Sequence, residues 1–156
     1  MMVTTSKSAS CSNKASCCIA KLEDKWGIGI FLSNLAMIRL IQKQHAEATA
    51  VGAEGLLLCQ ELADRRGAAW CLECLAATEA AQARFVRAVR LWGAAEALLE
   101  GIGSQLPFEF TNWIHDPYLK VTRESLDERT FKGAWSQGRA MPLKEAVRYA
   151  LEDESV

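Results

Sequence analysis

Residues 24–63, DKWGIGIFLSNLAMIRLIQKQHAEATAVGAEGLLLCQELA, align without a gap on residues 64–103, DRRGAAWCLECLAATEAAQARFVRAVRLWGAAEALLEGIG. Identities fall at Asp24/Asp64, Gly27/Gly67, Leu32/Leu72, Leu35/Leu75, Ala36/Ala76, Gln42/Gln82, Ala48/Ala88 and Leu58/Leu98. They are few for a chain rich in Ala and Leu, but they sit where a helical hairpin needs them. A period of roughly 20–50 residues is the signature of stacked-repeat architectures, which bind other proteins more often than they transform substrates.

Each copy reads as two helices. In the first, Phe31, Leu32, Leu35, Ala36, Ile38 and Leu40 give a wide apolar face. The polar stretch Gln42–His45 predicts a turn. Ala48, Val51, Leu56, Leu57 and Leu58 then mark a second helix ending near Asp64. The second copy places Trp70, Leu72, Leu75 and Ala76 on one helix and Val86, Val89, Trp92, Ala95 and Leu98 on the next, until Gly101 and Gly103 stop it. Tetratricopeptide repeats carry leucines, a small residue and a later Ala-x-x-x-aromatic step in this order. Leu72, Leu75, Ala76, Ala88 and Trp92 fill those places. Leu32, Leu35, Ala36 and Ala48 do so in the first copy, with Gly52 where the aromatic belongs. The expected fold is all-α: two tetratricopeptide-like helical hairpin repeats of period 40, against about 34 in that family, followed by C-terminal capping helices.

The flanks set the expected organisation. Residues 1–20, MMVTTSKSASCSNKASCCIA, have no periodicity and little to bury, which predicts a disordered Ser/Cys-rich tail. Residues 21–103 hold the two repeats, and 104–156 the capping helices. Asp116-Pro117 reads as an N-cap with proline at the first helical position, opening a helix to about Leu126. Asp127 caps another that carries Phe131 and Trp135 on one face. Gly138 is expected to end it, and Pro142 to open a last helix through Val147 and Leu151.

Composition narrows the function. The chain has 156 residues, half of them hydrophobic, a net charge of −1 and a pI near 6.1. It lacks the basic footprint of direct nucleic-acid binding, and no apolar run approaches the roughly 18 residues of a membrane span. A cytoplasmic address follows, with no membrane partner. The six cysteines are expected to be reduced.

Candidate chemistry is sparse. Cys71-Leu-Glu-Cys74 is a C-x-x-C, but a structural zinc site needs four ligands and only Cys59 and a lone His45 lie nearby. Two packing thiols inside a helix are the simpler reading. His115, beside Asp116, is equally short of catalytic companions, and no nucleophile elbow or His-Glu-x-x-His pair occurs. Arg65, Arg66, Arg84, Arg87 and Arg90 gather on the second repeat and offer a basic groove for an acidic peptide. The plainer alternative is a solvated helix surface interleaved with Glu61, Glu73 and Glu79. The C-terminal helices can cover the second repeat, but nothing in the Ser-rich tail is expected to cover the first. Trp26, Ile28, Ile30, Phe31, Leu35 and Ile38 are therefore expected to expose apolar surface. The expected interaction surface comprises Trp26, Ile30, Phe31, Arg65, Arg66, Arg84 and Arg87, with no catalytic, cofactor or metal residue assigned.

Three segments, DRRGAAWCLECLAA (64–77), RAVRLWGAAEALLEGIGSQLP (87–107) and FKGAWSQGRAMPLKEAVRYAL (131–151), resemble the C-terminal helical region of large bacterial signal-transduction ATPases. LuxR-type and maltose-regulator-type transcriptional activators belong to that group. The resemblance spans roughly residues 22–152 and is tightest at Phe131, Trp135, Gly138, Arg139 and Ala140. The chain departs from the pattern at Pro142, where Ser or Thr usually caps the last helix, and in the aromatic stretch Phe108–His115. It has no Gly-x-x-x-x-Gly-Lys-Ser/Thr phosphate loop and no helix-turn-helix. The resemblance implies a non-catalytic interaction and regulatory module, a fragment or remnant of an ATP-dependent transcriptional regulator. It would engage a protein partner or a second copy of itself through the first repeat, with no cofactor. The alternatives are a small-ligand-sensing helical domain of a signalling ATPase, and a metal or redox protein using Cys71 and Cys74.

Overall fold

The computed structural model describes residues 14–152, with side chains from Gly27 onward. Every regular element among them is helical. Four long helices come first: α1 (Lys14–Ile41), α2 (His45–Glu61), α3 (Arg65–Ala81) and α4 (Phe85–Gly101). A single turn, α5 (Phe108–Phe110), runs through a π-helical turn (Thr111–His115) into α6 (Asp116–Ser125). Helices α7 (Glu128–Arg139) and α8 (Leu143–Leu151) complete the fold. No helix among the described residues is long and apolar enough to cross a membrane.

The turns share one geometry. Lys43, Ala63, Ala83 and Gly103, spaced 20 residues apart, all sit in the left-handed region, with φ of 61°, 55°, 64° and 62°. Around each, two nested backbone bonds close the preceding helix. At the first turn Gln44 N donates to Arg39 O and Lys43 N to Leu40 O, both at 2.9 Å. The same pair recurs as Asp64→Cys59 with Ala63→Gln60, Arg84→Glu79 with Ala83→Ala80, and Ser104→Leu99 with Gly103→Glu100. This is the Schellman motif, which satisfies the last carbonyls of a helix and reverses the chain within three residues. Helices α2, α3 and α4 have the same length, 17 residues, so each returns antiparallel along its predecessor.

Small residues set how closely the helices approach. Ala36, Ala48, Ala76 and Ala88 are fully buried. Gly52 lies where a Cβ would press on the Leu75 side chain at 3.1 Å, so α2 and α3 meet without the aromatic that the second copy carries as Trp92. The hairpin axis of the molecule is α3, in which every residue from Cys71 to Ala80 is buried. It is flanked by α2 and α4, and also contacts α1, α6, α8 and the π-helical turn.

The structure differs from the sequence reading in three places. The helix expected from Pro117 to about Leu126 is present as α6 (Asp116–Ser125), but it continues helical turns that begin at Phe108, and Asp116 is its first residue and not its cap. Pro117 stands inside that continuous stretch. A proline there removes one i→i−4 donor and crowds the carbonyl four residues back. The preceding turn answers by widening to π geometry, with Asp116 N reaching Thr111 O. Secondly, Gly138 does not end α7, which runs on to Arg139. A Cβ at Gly138 would collide with the Arg90 backbone, and one at Gly93 with the Trp135 carbonyl, so the two glycines permit α4 and α7 to cross backbone to backbone. Thirdly, the boundary placed at residue 20 falls inside α1, which begins at Lys14. Residues 1–13 of the expected tail lie outside the described residues.

Candidate functional site

Three places in the fold concentrate unusual side chains, and the first is the outer side of α1. At 100° per residue, Gly27, Ile30, Phe31, Asn34, Ile38 and Ile41 fall on one stripe, and all six are exposed. Phe31 is 62% exposed, Ile41 49%, Ile30 46% and Ile38 44%. No charged residue interrupts the stripe, which lies opposite the face that buries Leu32, Ala36 and Leu40. Ile28 is also exposed, on another side of the helix, and Leu35 is half-buried. The side chain of Trp26 lies outside the described residues.

The second place is the arginine group, and here the structure corrects the sequence reading. Arg65 and Arg66 are exposed at the start of α3. Arg84 pairs with the nearly buried Glu79. Arg87, expected on a basic surface, is 5% exposed. Its Nη2 donates to the carbonyls of Tyr149 (2.8 Å), Ala150 (3.0 Å) and Glu152 (2.5 Å), its Nε lies 3.4 Å from Glu79, and its guanidinium sits 4.8 Å from the Tyr149 ring centre. One buried cation thus closes the C-terminus of α8, where the helix dipole is negative. Arg90 reaches Gln137 Oε1 at 2.8 Å and the Tyr149 hydroxyl at 3.2 Å. Arg84, Arg87 and Arg90 therefore fasten helices together and do not line a groove. Glu73 and Glu79, taken as solvated, are 2% and 6% exposed.

The third place was not anticipated. His115 Nδ1, on the π-helical turn, lies 2.9 Å from Glu73 Oε2 at the centre of α3. The edge of Trp92 meets the imidazole with ring centres 5.9 Å apart. Burial raises the Glu73 pKa above its usual range, against the opposing pull of His115 and Trp92. Burial pulls the His115 pKa down, but Glu73, Asp116 and Glu96 outweigh it and leave the imidazole raised. The pair floors a cleft of about 410 Å³ whose walls include Glu96, Glu100, Leu106, Asp116 and Trp135. Trp135 separates this acidic cleft from an outer one. Its Nε1 donates to Glu96 at 2.6 Å, and its ring stacks on Phe131 with centres 5.5 Å apart. A signal for Glu73 was present in the sequence: a lone acid in the window WCLECLAA has nowhere to go but inward if that helix is central.

The three cysteines with described side chains are free thiols. Cys59, Cys71 and Cys74 are buried, and the partner of Cys71 is Cys59 on α2, through a thiol hydrogen bond, not Cys74. That bond and burial raise Cys71 well above the usual thiol range, and burial raises Cys74. Cys74 Sγ is directed at Ser33 O, 3.7 Å away. Among the described residues no group of three or more His, Cys, Asp or Glu side chains could hold a metal ion. No family model, curated protein or solved structure matches this chain.

Proposed function

We propose that the chain is a non-catalytic interaction and regulatory module built from tetratricopeptide-like hairpins, related to the C-terminal region of bacterial signalling ATPases and working in the cytoplasm. The observation that carries this reading is the uncharged apolar stripe of Ile30, Phe31, Ile38 and Ile41 on α1. Contiguous exposed apolar surface of this kind marks a binding face. The recurring Schellman turns and the equal helix lengths support the repeat assignment, because stacked repeats bury their faces only against neighbours. The stripe is where an adjoining hairpin, or a second copy of the chain, would continue the stack.

Sedimentation analysis tests it directly. The wild-type chain is expected to self-associate at tens of micromolar, or to bind an apolar-surface dye when kept monomeric. Phe31→Glu and Ile38→Glu should abolish both while leaving the helical content unchanged. A well-folded wild-type monomer that binds no dye would overturn the reading.

A further inference from the structure

A cavity of about 590 Å³ opens between α6 and α7, on the far side of Trp135 from the acidic cleft. Its wall carries Arg123, Leu126, Glu128, Phe131, Lys132 and Trp135. The volume is within the range of small-molecule sites, roughly 300–1,000 Å³. Two features give it a definite chemistry. Phe131 is nearly buried, stacked on Trp135 at 22° with Arg123 over its ring, so Trp135 and Leu126 supply the accessible apolar wall. Arg123 lies over Phe131, 4.2 Å from the ring centre. It forms no salt bridge among the described residues, although Glu128 lies near enough to feel its charge. The other two charges cancel, since Lys132 Nζ is bound to Glu128 at 2.8 Å. Arg123 and Lys132 against Glu128 leave the wall one net positive charge, beside the Trp135 ring.

We propose that this cavity binds a small aromatic monocarboxylate, its ring against Trp135 and its carboxylate on Arg123. A guanidinium held over a ring can still present its N–H fork to a planar anion, and the ring contact reduces the ordering cost of the side chain. A neutral aromatic ligand would leave Arg123 unanswered, and a dianion would exceed the single charge available. The site is independent of the α1 stripe, so its test stands or falls separately from the docking proposal.

The probes are benzoate, 2-naphthoate and indole-3-acetate, with indole-3-acetamide as the neutral comparison. The readout is the indole N–H resonance of Trp135, assigned by its loss in Trp135→Phe. At least one acid should shift that resonance saturably. Indole-3-acetamide should bind at least about tenfold more weakly than its acid, and Arg123→Gln should weaken the acid by a similar factor. Ser136, on α7, also lines the cavity, and Ser136→Phe, which adds bulk there without altering charge, should weaken every ligand. No saturable shift with any of the three acids would overturn the proposal. So would equal affinity for acid and amide, undiminished binding to Arg123→Gln, or shifts confined to other tryptophans.

Discussion

A single buried glutamate shows how much one side chain decides in this fold. Glu73 sits where α3 is surrounded, and an isolated carboxylate there would carry a large desolvation penalty. His115 answers it across a sequence separation of 42 residues. Both groups bind their protons more tightly in the folded chain than when exposed. The folded state therefore holds more protons than the unfolded state, and stability falls as pH rises. The imidazole contribution is complete below its ordinary value of about 6.5 and is lost as pH climbs through the raised folded value. Urea unfolding midpoints of the wild type should fall from pH 6.5 towards 8.5, and His115→Gln should flatten that part of the profile. Arg87 makes the same point with the opposite charge. Arg87→Met would leave the last α8 carbonyls unanswered and weaken the environment of Glu79. A loss of about 3 kcal/mol in denaturant unfolding is expected, with Arg87→Lys recovering only part because an ammonium loses the Nε contact with Glu79 and the guanidinium over Tyr149.

At the scale of the element, the turns are more informative than the helices. Four Schellman turns hold a left-handed residue, and only the last one is glycine. Lys43, Ala63 and Ala83 accept a conformation in which Cβ crowds the following carbonyl. Replacing each with glycine should stabilise the chain by about 0.5–1 kcal/mol, the relief of strain less the entropy glycine adds to the unfolded state. Gly103→Ala should do the reverse. Thermal unfolding of the four single variants measures this, and a destabilising Ala63→Gly would show that the strain is taken up elsewhere. The N-terminal ends are less uniform. Asp64 caps α3 by accepting from Gly67 N at 3.0 Å, whereas Gln44 and Arg84 make no side-chain cap at the equivalent places.

Over the whole molecule the organising fact is the position of α3. It touches helices before and after it on every side, so its small residues cannot grow. Ala76→Leu should overpack it and cost about 1–3 kcal/mol. Hydrogen exchange should find the amides from Cys71 to Ala80 the slowest in the chain, opening only with global unfolding, while α8 exchanges sooner through local opening. Similar protection of α3 and α8 would mean that the C-terminal helices and the hairpins unfold as one unit. The buried pairs at Glu73 and Arg87 are the ties that would enforce that coupling.

The helices, their turns near Gln42, Asp64 and Gly103, and the close-approach alanines were legible in residues 24–103, because helical periodicity and capping are local properties of the chain. The Asp127 cap and the Phe131–Trp135 face were legible for the same reason. The exposed apolar residues Ile30, Phe31 and Ile38 of α1 were legible as apolar positions of that helix. Other features depended on what each residue meets across the fold. Glu73, Glu79 and Arg87 look like surface charges until α3 and α4 are enclosed. Gly138 looks like a helix terminator until α4 crosses it. Periodicity determined which residues form helices and which of their faces are apolar. Only the tertiary packing decided which charges lie inside, because burial and pairing are set by distant helices whose positions no local pattern encodes.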